Sequence, residues 1–316
     1  MRAAIFRKRF PLAVVWNITY RCNCSCRYCG TSEMPAEELV TPQALSLMDD
    51  LAEMGTRWLT FSGGDPFMRV DLGQLVRRAR HHKMHLRIST NGILLPDRIS
   101  EVQSADAVSV SLDGPAEVHD AVRGNGTFRG ALAGIEACKT ANIKVNLKCT
   151  LGSHNLTVVD QVLEMARQLH LPVMFQPATS WLNFTSAEDP MAAEREAYRR
   201  AVEYLLDRKR EGAPILNSAA GLRYLANWPE PADIPCFAGK LFCSIGPDGS
   251  FVACSTFQDA GLKASTDRSG STRERFERAS AAAYNCRQCW CAPLVEFNLA
   301  LSMHAGAVLN ALKVGL

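Results

Sequence analysis

Between residues 13 and 177 the chain alternates short extended runs with helical ones. The extended runs are "AVVWNITY" (13–20), "RWLTFSGG" (57–64), "MHLRISTN" (84–91), "AVSVSLDG" (107–114), "KVNLKCT" (144–150) and "VMFQP" (173–177). "PQALSLMDDLAEMG", between the first two, has Pro near its start and Gly at its end, as helices favour. "DLGQLVRRARHH", "TFRGALAGIEACKTAN" and "LTVVDQVLEMARQL" continue the alternation. Repeated β–α units predict a parallel sheet with helices outside it.

Strand side chains alternate between faces. One face reads Val14, Trp16, Ile18; Leu59, Phe61; Leu86, Ile88; Val108, Val110, Leu112; Val145, Leu147; Val173, Phe175, and is apolar in every strand. The other reads Asn17, Thr19; Thr60, Ser62; His85, Arg87, Ser89, Asn91; Ser109, Ser111, Asp113; Asn146, Lys148; Gln176, and is polar in every strand. A sheet wound on both sides is apolar on both faces, and a closed eight-stranded barrel fills its interior mostly with Val, Ile and Leu. The pattern therefore predicts an α/β fold: a partial (β/α)6 barrel with a polar lumen wide enough for ligands.

Beyond residue 185 the pattern changes. "AEDPMAAEREAYRRAVEYLLDRKREG" reads as a charged amphipathic helix and "NWPEPADIP" as a connector. "SIGPDGSFVAC" reads as a hairpin around Pro-Asp-Gly, and residues 261–280 as a mobile loop leading into a helix. The expected division is a basic segment at 1–12, the barrel at 13–215, and a small cysteine-rich α+β domain with a C-terminal helix at 216–316. "RGNGTFRG" lacks the spacing of a phosphate loop and reads as a turn with a helix N-cap at Thr127; Arg123 before it is a candidate for the substrate side.

The net charge of +3 is too small to point to nucleic acid. The apolar run at 11–16 is too short for a secretory signal, and no stretch of about 18 uncharged apolar residues spans a membrane. A cytoplasmic location is the expectation, where thiols stay reduced. "FRKRF" (6–10) and the apolar final "FNLALSMHAGAVLNALKVGL" together suit a membrane surface; a solvated basic face and a core-packing helix are the preferred reading.

The twelve cysteines change the picture. Four sit at Cys22, Cys24, Cys26 and Cys29, six at Cys236, Cys243, Cys254, Cys286, Cys289 and Cys291, while Cys138 and Cys149 stand apart as small core residues. Clustered thiols in a reducing compartment read as metal or redox groups. Cys22, Cys26 and Cys29 form C-x3-C-x2-C directly after the first strand, at the end where parallel barrels carry their chemistry. Three thiolates suit an iron–sulfur cubane with one iron left open; a zinc knuckle fits the cysteines taken alone.

With Tyr28 before the last cysteine, this stretch resembles the C-x3-C-x-aromatic-C motif of the radical SAM superfamily. "FSGGDPF" (61–67), "STNG" (89–92) and "SLDGPAEVHDAVRGNGTF" (111–128) resemble its later strand-end motifs. The last is close to the branch carrying a SPASM or twitch domain. Cys236 and Cys254, in C-x12-G-x4-C, resemble the opening of that domain.

The resemblance implies S-adenosylmethionine bound at the open iron of a [4Fe–4S] cluster on Cys22, Cys26 and Cys29. It places Gly63, Gly64 and Asp65 at the amino group, with Asp65 where glutamate is commoner. Ser89, Asn91 and Ser111 are candidates for ribose and carboxylate contacts, and Tyr28 for the adenine. Asn146, Lys148 and Gln176 face the same lumen, Lys148 suiting a carboxylate; Ser89, Ser111 and Asn146 equally suit barrel hydrogen bonds. Cys24 takes a position usually apolar and is expected to pack beneath the loop. Six C-terminal thiols cannot ligate two four-iron clusters, so one auxiliary [4Fe–4S] cluster is expected, drawn from Cys236, Cys254 and the downstream group with Cys243 as a fourth candidate. A four-thiolate zinc site is the alternative there.

The implied activity is reductive cleavage of S-adenosylmethionine and hydrogen abstraction from a C–H bond of a small molecule or peptide. A flavodoxin- or ferredoxin-like protein would supply the electron. The short run before the first strand leaves no room for a peptide-recognition domain, so a peptide maturase would act with a separate recognition protein. A lipid-modifying enzyme at a membrane surface and a non-catalytic iron–sulfur carrier are the other readings.

Overall fold

In the computed structural model, residues 9–34, 37–178, 188–254, 268–281 and 289–314 are described. Residues 1–8, the first part (261–267) of the segment 261–280 read as a loop leading into a helix, and Cys286 lie outside them. Six parallel strands stand side by side in chain order: β1 (Ala13–Thr19), β2 (Trp58–Gly63), β3 (His85–Thr90), β4 (Ala107–Ser111), β5 (Val145–Leu151) and β6 (Val173–Pro177). Helices α1 (Thr41–Met54), α2 (Leu72–His81), α3 (Leu95–Arg98), α4 (Ala116–Arg123), α5 (Thr127–Thr140) and α6 (Val159–Gln168) fill the connections.

The apolar strand face meets these helices as the alternation predicts. Trp16, Phe61 and Phe175 are at most 1% exposed, and burying each such side chain is worth about 1.5–3 kcal/mol. Helix α1 follows the same logic: Ala44, Leu47, Met48, Leu51 and Met54 form its buried stripe, Pro42 lies in its first turn, and Gly55 ends it with a left-handed φ of 104°.

Helix α5 starts differently from expectation. Thr127 is its first residue, and the capping group is the Asp120 carboxylate, which accepts from Gly126 N at 2.8 Å and Phe128 N at 2.7 Å. Helix α7 (Arg195–Arg210) begins several residues into its charged run, where the Glu194 carboxylate accepts from Glu196 N and Ala197 N.

Among the described residues the tail forms no sheet of its own. Its hairpin, β7 (Phe242–Ile245) and β8 (Phe251–Val252), pairs antiparallel, and β7 also pairs parallel with β1 from Ala13↔Phe242 to Trp16↔Ile245. The resulting eight-stranded sheet runs β6-β5-β4-β3-β2-β1-β7-β8 and does not close. At the far edge, Asn217 mimics a strand: its Oδ1 accepts from Phe175 N at 2.8 Å and its Nδ2 donates to Phe175 O at 2.9 Å. Residues on the far side of the expected 215/216 division thus finish both edges of the barrel sheet. Helices α8 (Ala219–Leu225), α9 (Thr272–Ala281), α10 (Ala292–Leu301) and α11 (Ala305–Val314) complete the tail. Among the described residues no single helix is long and apolar enough to cross a membrane; α10 and α11 reach that length only together, bent by 113°.

Candidate active site

A cavity of about 290 Å³ opens at the C-terminal ends of the strands. Cys22, Cys26, Cys29 and Tyr28 line it from the loop after β1, and Gly63 and Gly64 from the end of β2. Ser89, Asn91, Ser111, Lys148 and Gln176 line it from the lumen face. Each of the three thiols has a polar neighbour, two from the barrel and one from the loop itself. Asn91 Nδ2 lies 3.8 Å from Cys22 Sγ, Arg123 Nη1 3.9 Å from Cys26 Sγ, and Thr31 Oγ1 3.2 Å from Cys29 Sγ.

Cys24 is buried as expected, but it faces the cavity instead of packing away from it. Its N donates to Cys22 Sγ at 3.4 Å, and the nearness of its thiol to Cys22 and Cys26 raises its own pKa and lowers both of theirs. Cys26 comes down to about 7, through Cys24 first and then, against the effect of burial, through Arg123.

The two glycines serve the cysteine loop directly. Gly63 has φ 126°, and a Cβ there would lie 1.9 Å from Thr19 O; a Cβ on Gly64 would lie 2.2 Å from Arg21 O. The backbones are zipped by Gly64 N to Thr19 O and Asp65 N to Arg21 O, both at 2.9 Å. Only residues without a side chain permit this approach.

Two of the expected contacts lie elsewhere. Asp65 is fully buried outside the cavity lining. Its carboxylate accepts from Phe67 N and Asn91 N at 2.9 Å and from Thr90 Oγ1 at 2.7 Å; burial raises its pKa and these bonds oppose the rise. It latches the ends of β2 and β3 together. Asn146 shares the lumen face but sits lower, accepting from Ser109 Oγ at 3.0 Å and lining a separate cavity at the opposite end.

Asp113 was legible as a lumen residue but not as the centre of a network. Wholly buried, it accepts from Arg123 Nε at 2.6 Å, Tyr28 Oη at 2.7 Å and Thr150 N at 2.9 Å. Burial raises its pKa, but Arg123 outweighs burial and holds the carboxyl below its usual range. Arg123 in turn lies over the Tyr28 ring at 5.3 Å, and His154 stacks on that ring at 5.9 Å. The "D-x9-R" spacing across α4 was the available signal.

The tail reaches the same cavity. Trp290, Cys291, Pro293 and Leu294 line it, placing Cys291 beside the first cysteine loop. Cys289 is buried; its N donates to Tyr224 Oη at 3.1 Å, and its Sγ lies 3.8 Å from Asn298 Nδ2. Asn298 Oδ1 also accepts from Phe237 N, next to Cys236, at 3.1 Å. Cys254 is buried and Cys236 partly exposed. Cys243 departs from the expected group: it is 0% exposed, in register with Val14 on the helix-facing side, and burial alone pushes its thiol pKa up. Among the described residues no three Cys, His, Asp or Glu side chains converge as ligands of a single metal ion do.

The mycofactocin maturase MftC of Mycobacterium ulcerans is 30% identical over 264 residues, covering 77% of this chain and 68% of that protein. The chain belongs to the radical SAM superfamily. The model of that family matches residues 16–170. The Fe-coproporphyrin III synthase of Methanosarcina barkeri is 34% identical over 216 residues, covering 65% of this chain and 53% of that protein; the chain spans about half the length of the first such relatives. Among solved structures, native anSMEcpe with bound AdoMet and Cp18Cys peptide shares the fold, with TM-score 0.64 and 16% identity over 96% of this chain and 97% of that one. As a radical SAM protein the chain uses S-adenosylmethionine and a [4Fe–4S] cluster. The donor set fits: three thiols of one loop line a single cavity, over a backbone cradle that a Cβ would fill.

Proposed function

We propose that the chain is an enzyme that cleaves S-adenosylmethionine reductively and removes hydrogen from a C–H bond of a small molecule or of a peptide. One observation carries this reading: the cysteine loop, the Gly63–Gly64 turn and the polar lumen face all line one cavity. Cys22, Cys26 and Cys29 hold the cluster, which when bound supplies the electron that splits the sulfonium into methionine and a 5′-deoxyadenosyl radical.

The remaining work belongs to the protein. Gly63 and Gly64 bring backbone groups to the amino end of S-adenosylmethionine, while Lys148 offers a cation to a carboxylate. Ser89, Asn91 and Ser111 supply hydrogen bonds along the lumen, with Gln176 at its rim. Tyr28, held by Asp113 and Arg123, forms a fixed wall for the adenine. Trp290, Pro293 and Leu294 shield the mouth from water. Cys236, Cys254, Cys289 and either Cys286 or Cys291 are the ligands of one auxiliary [4Fe–4S] cluster.

The peptide alternative is supported by the shared fold of anSMEcpe and its peptide complex. A flavodoxin- or ferredoxin-like donor and a cytoplasmic location complete the reading. Anaerobically reconstituted protein incubated with S-adenosylmethionine and dithionite should form 5′-deoxyadenosine. A yield no higher than that of the Cys26→Ala variant would overturn the enzyme reading, and candidate substrates are ranked by how much they accelerate deoxyadenosine formation.

A further inference from the structure

The barrel has a second cavity, of about 490 Å³, at the opposite end of the strands. Its walls come from the first residues of three strands, His85, Ala107 and Val145, and from the turns leading into β5 and β6. It shares no lining residue with the first cavity. Its volume falls within the range of small-molecule sites, about 300–1,000 Å³.

Its charge is one-sided. Arg87, Lys139 and Lys144 line it, together with His85 and His170, against a single carboxylate, Asp106. That carboxylate is engaged: Oδ2 accepts from Leu86 N at 2.7 Å, and Oδ1 lies 3.4 Å from His85 Nδ1. Arg87 projects from the lumen face at the floor of the barrel, in register with Thr60. Its buried Nε has no hydrogen-bond partner, nor has the buried Nε2 of His85. Buried polar atoms without partners call for an explanation. A guanidinium and two lysines lining one cavity supply the charge and the donors that oxyanions take. Leu169, Leu171, Pro172 and Leu216 give the same cavity an apolar wall.

We propose that this cavity binds a small phosphorylated molecule, its phosphate groups held by Arg87, Lys139 and Lys144 and its apolar part against Leu171, Pro172 and Leu216. The site lies away from the cysteine loop and is independent of the activity proposed above.

The test is calorimetric titration of the cluster-loaded protein, without oxygen and with S-adenosylmethionine saturating, so that the first cavity is filled. Pyrophosphate, ADP and adenosine are the probes. Pyrophosphate and ADP should bind, ADP the tighter, and adenosine should not. Arg87→Gln and the exposed Lys144→Gln should each weaken ADP binding about tenfold, with the affinity for S-adenosylmethionine unchanged. The lysine variant keeps the test decisive if Arg87→Gln fails to fold. Silence from both anions at millimolar concentration overturns the proposal, as does equal ADP affinity in the parent and in Lys144→Gln.

Discussion

The two groups of cysteines are built on different principles. The first belongs to one loop; the barrel meets two of its motif thiols with polar neighbours, Asn91 and Arg123, and the loop's own Thr31 meets the third. The second is dispersed. Cys243 is sealed in the apolar core, Cys291 lines the first cavity, and Cys289 is held against Tyr224 and Asn298. Close spacing on one loop makes ligands of neighbours almost automatically. Distant cysteines become ligands only where strands and helices happen to deliver them, so a count of thiols overstates the second group and describes the first well.

The sharpest break in this contrast is within the first loop. Cys26→Ala should abolish both the cluster and deoxyadenosine formation, whereas Cys24→Ala should keep both; iron content and visible absorption after reconstitution check this. Loss of iron in Cys24→Ala with retention in Cys22→Ala would reverse the assignment.

In the second group, Cys289→Ala should lower iron from about eight to about four per chain, leaving the first cluster in place. About four irons and one zinc in the parent protein would replace the auxiliary cluster by a zinc site.

Arg123→Ala should destabilise the fold by about 3–5 kcal/mol, because it strands the buried Asp113 carboxylate. Thermal unfolding measures that cost, and a shifted cluster reduction potential would register the lost Cys26 contact. The smallest effect is expected of Cys243→Ala: unchanged iron and a stability loss of about 1 kcal/mol from a small core cavity. A loss of iron from this variant would return Cys243 to the ligand set.

The alternation of the strands made the fold legible, because a period of two separates lumen from core without any knowledge of packing. It did not give height. Asn146 and Lys148 share a face, yet two residues of strand are about 6.6 Å of rise, enough to put them in different cavities. The loop motif announced Cys22, Cys26 and Cys29. It could not announce that the Asp65 carboxylate is consumed by Phe67, Thr90 and Asn91, since that depends on where β3 ends beside β2. The network of Tyr28, Asp113 and Arg123 was hidden for the same reason: its members are 85 and 10 residues apart, and only the barrel makes them neighbours. Likewise, the sequence pointed to Thr127 as the cap, and the turn from α4 into α5 brings the Asp120 carboxylate to that place instead.

The docking of Gly63 and Gly64 on Thr19 and Arg21 bears on how the protein matures. Because the β1–β2 ladder continues as backbone bonds into the base of the cysteine loop, the entrance to that loop is held by the barrel's own hydrogen bonds. Loading iron and sulfide then involves little loss of chain entropy there. The expected outcome is that the rate of loading the first cluster follows the supply of iron and sulfide and not the refolding of the chain.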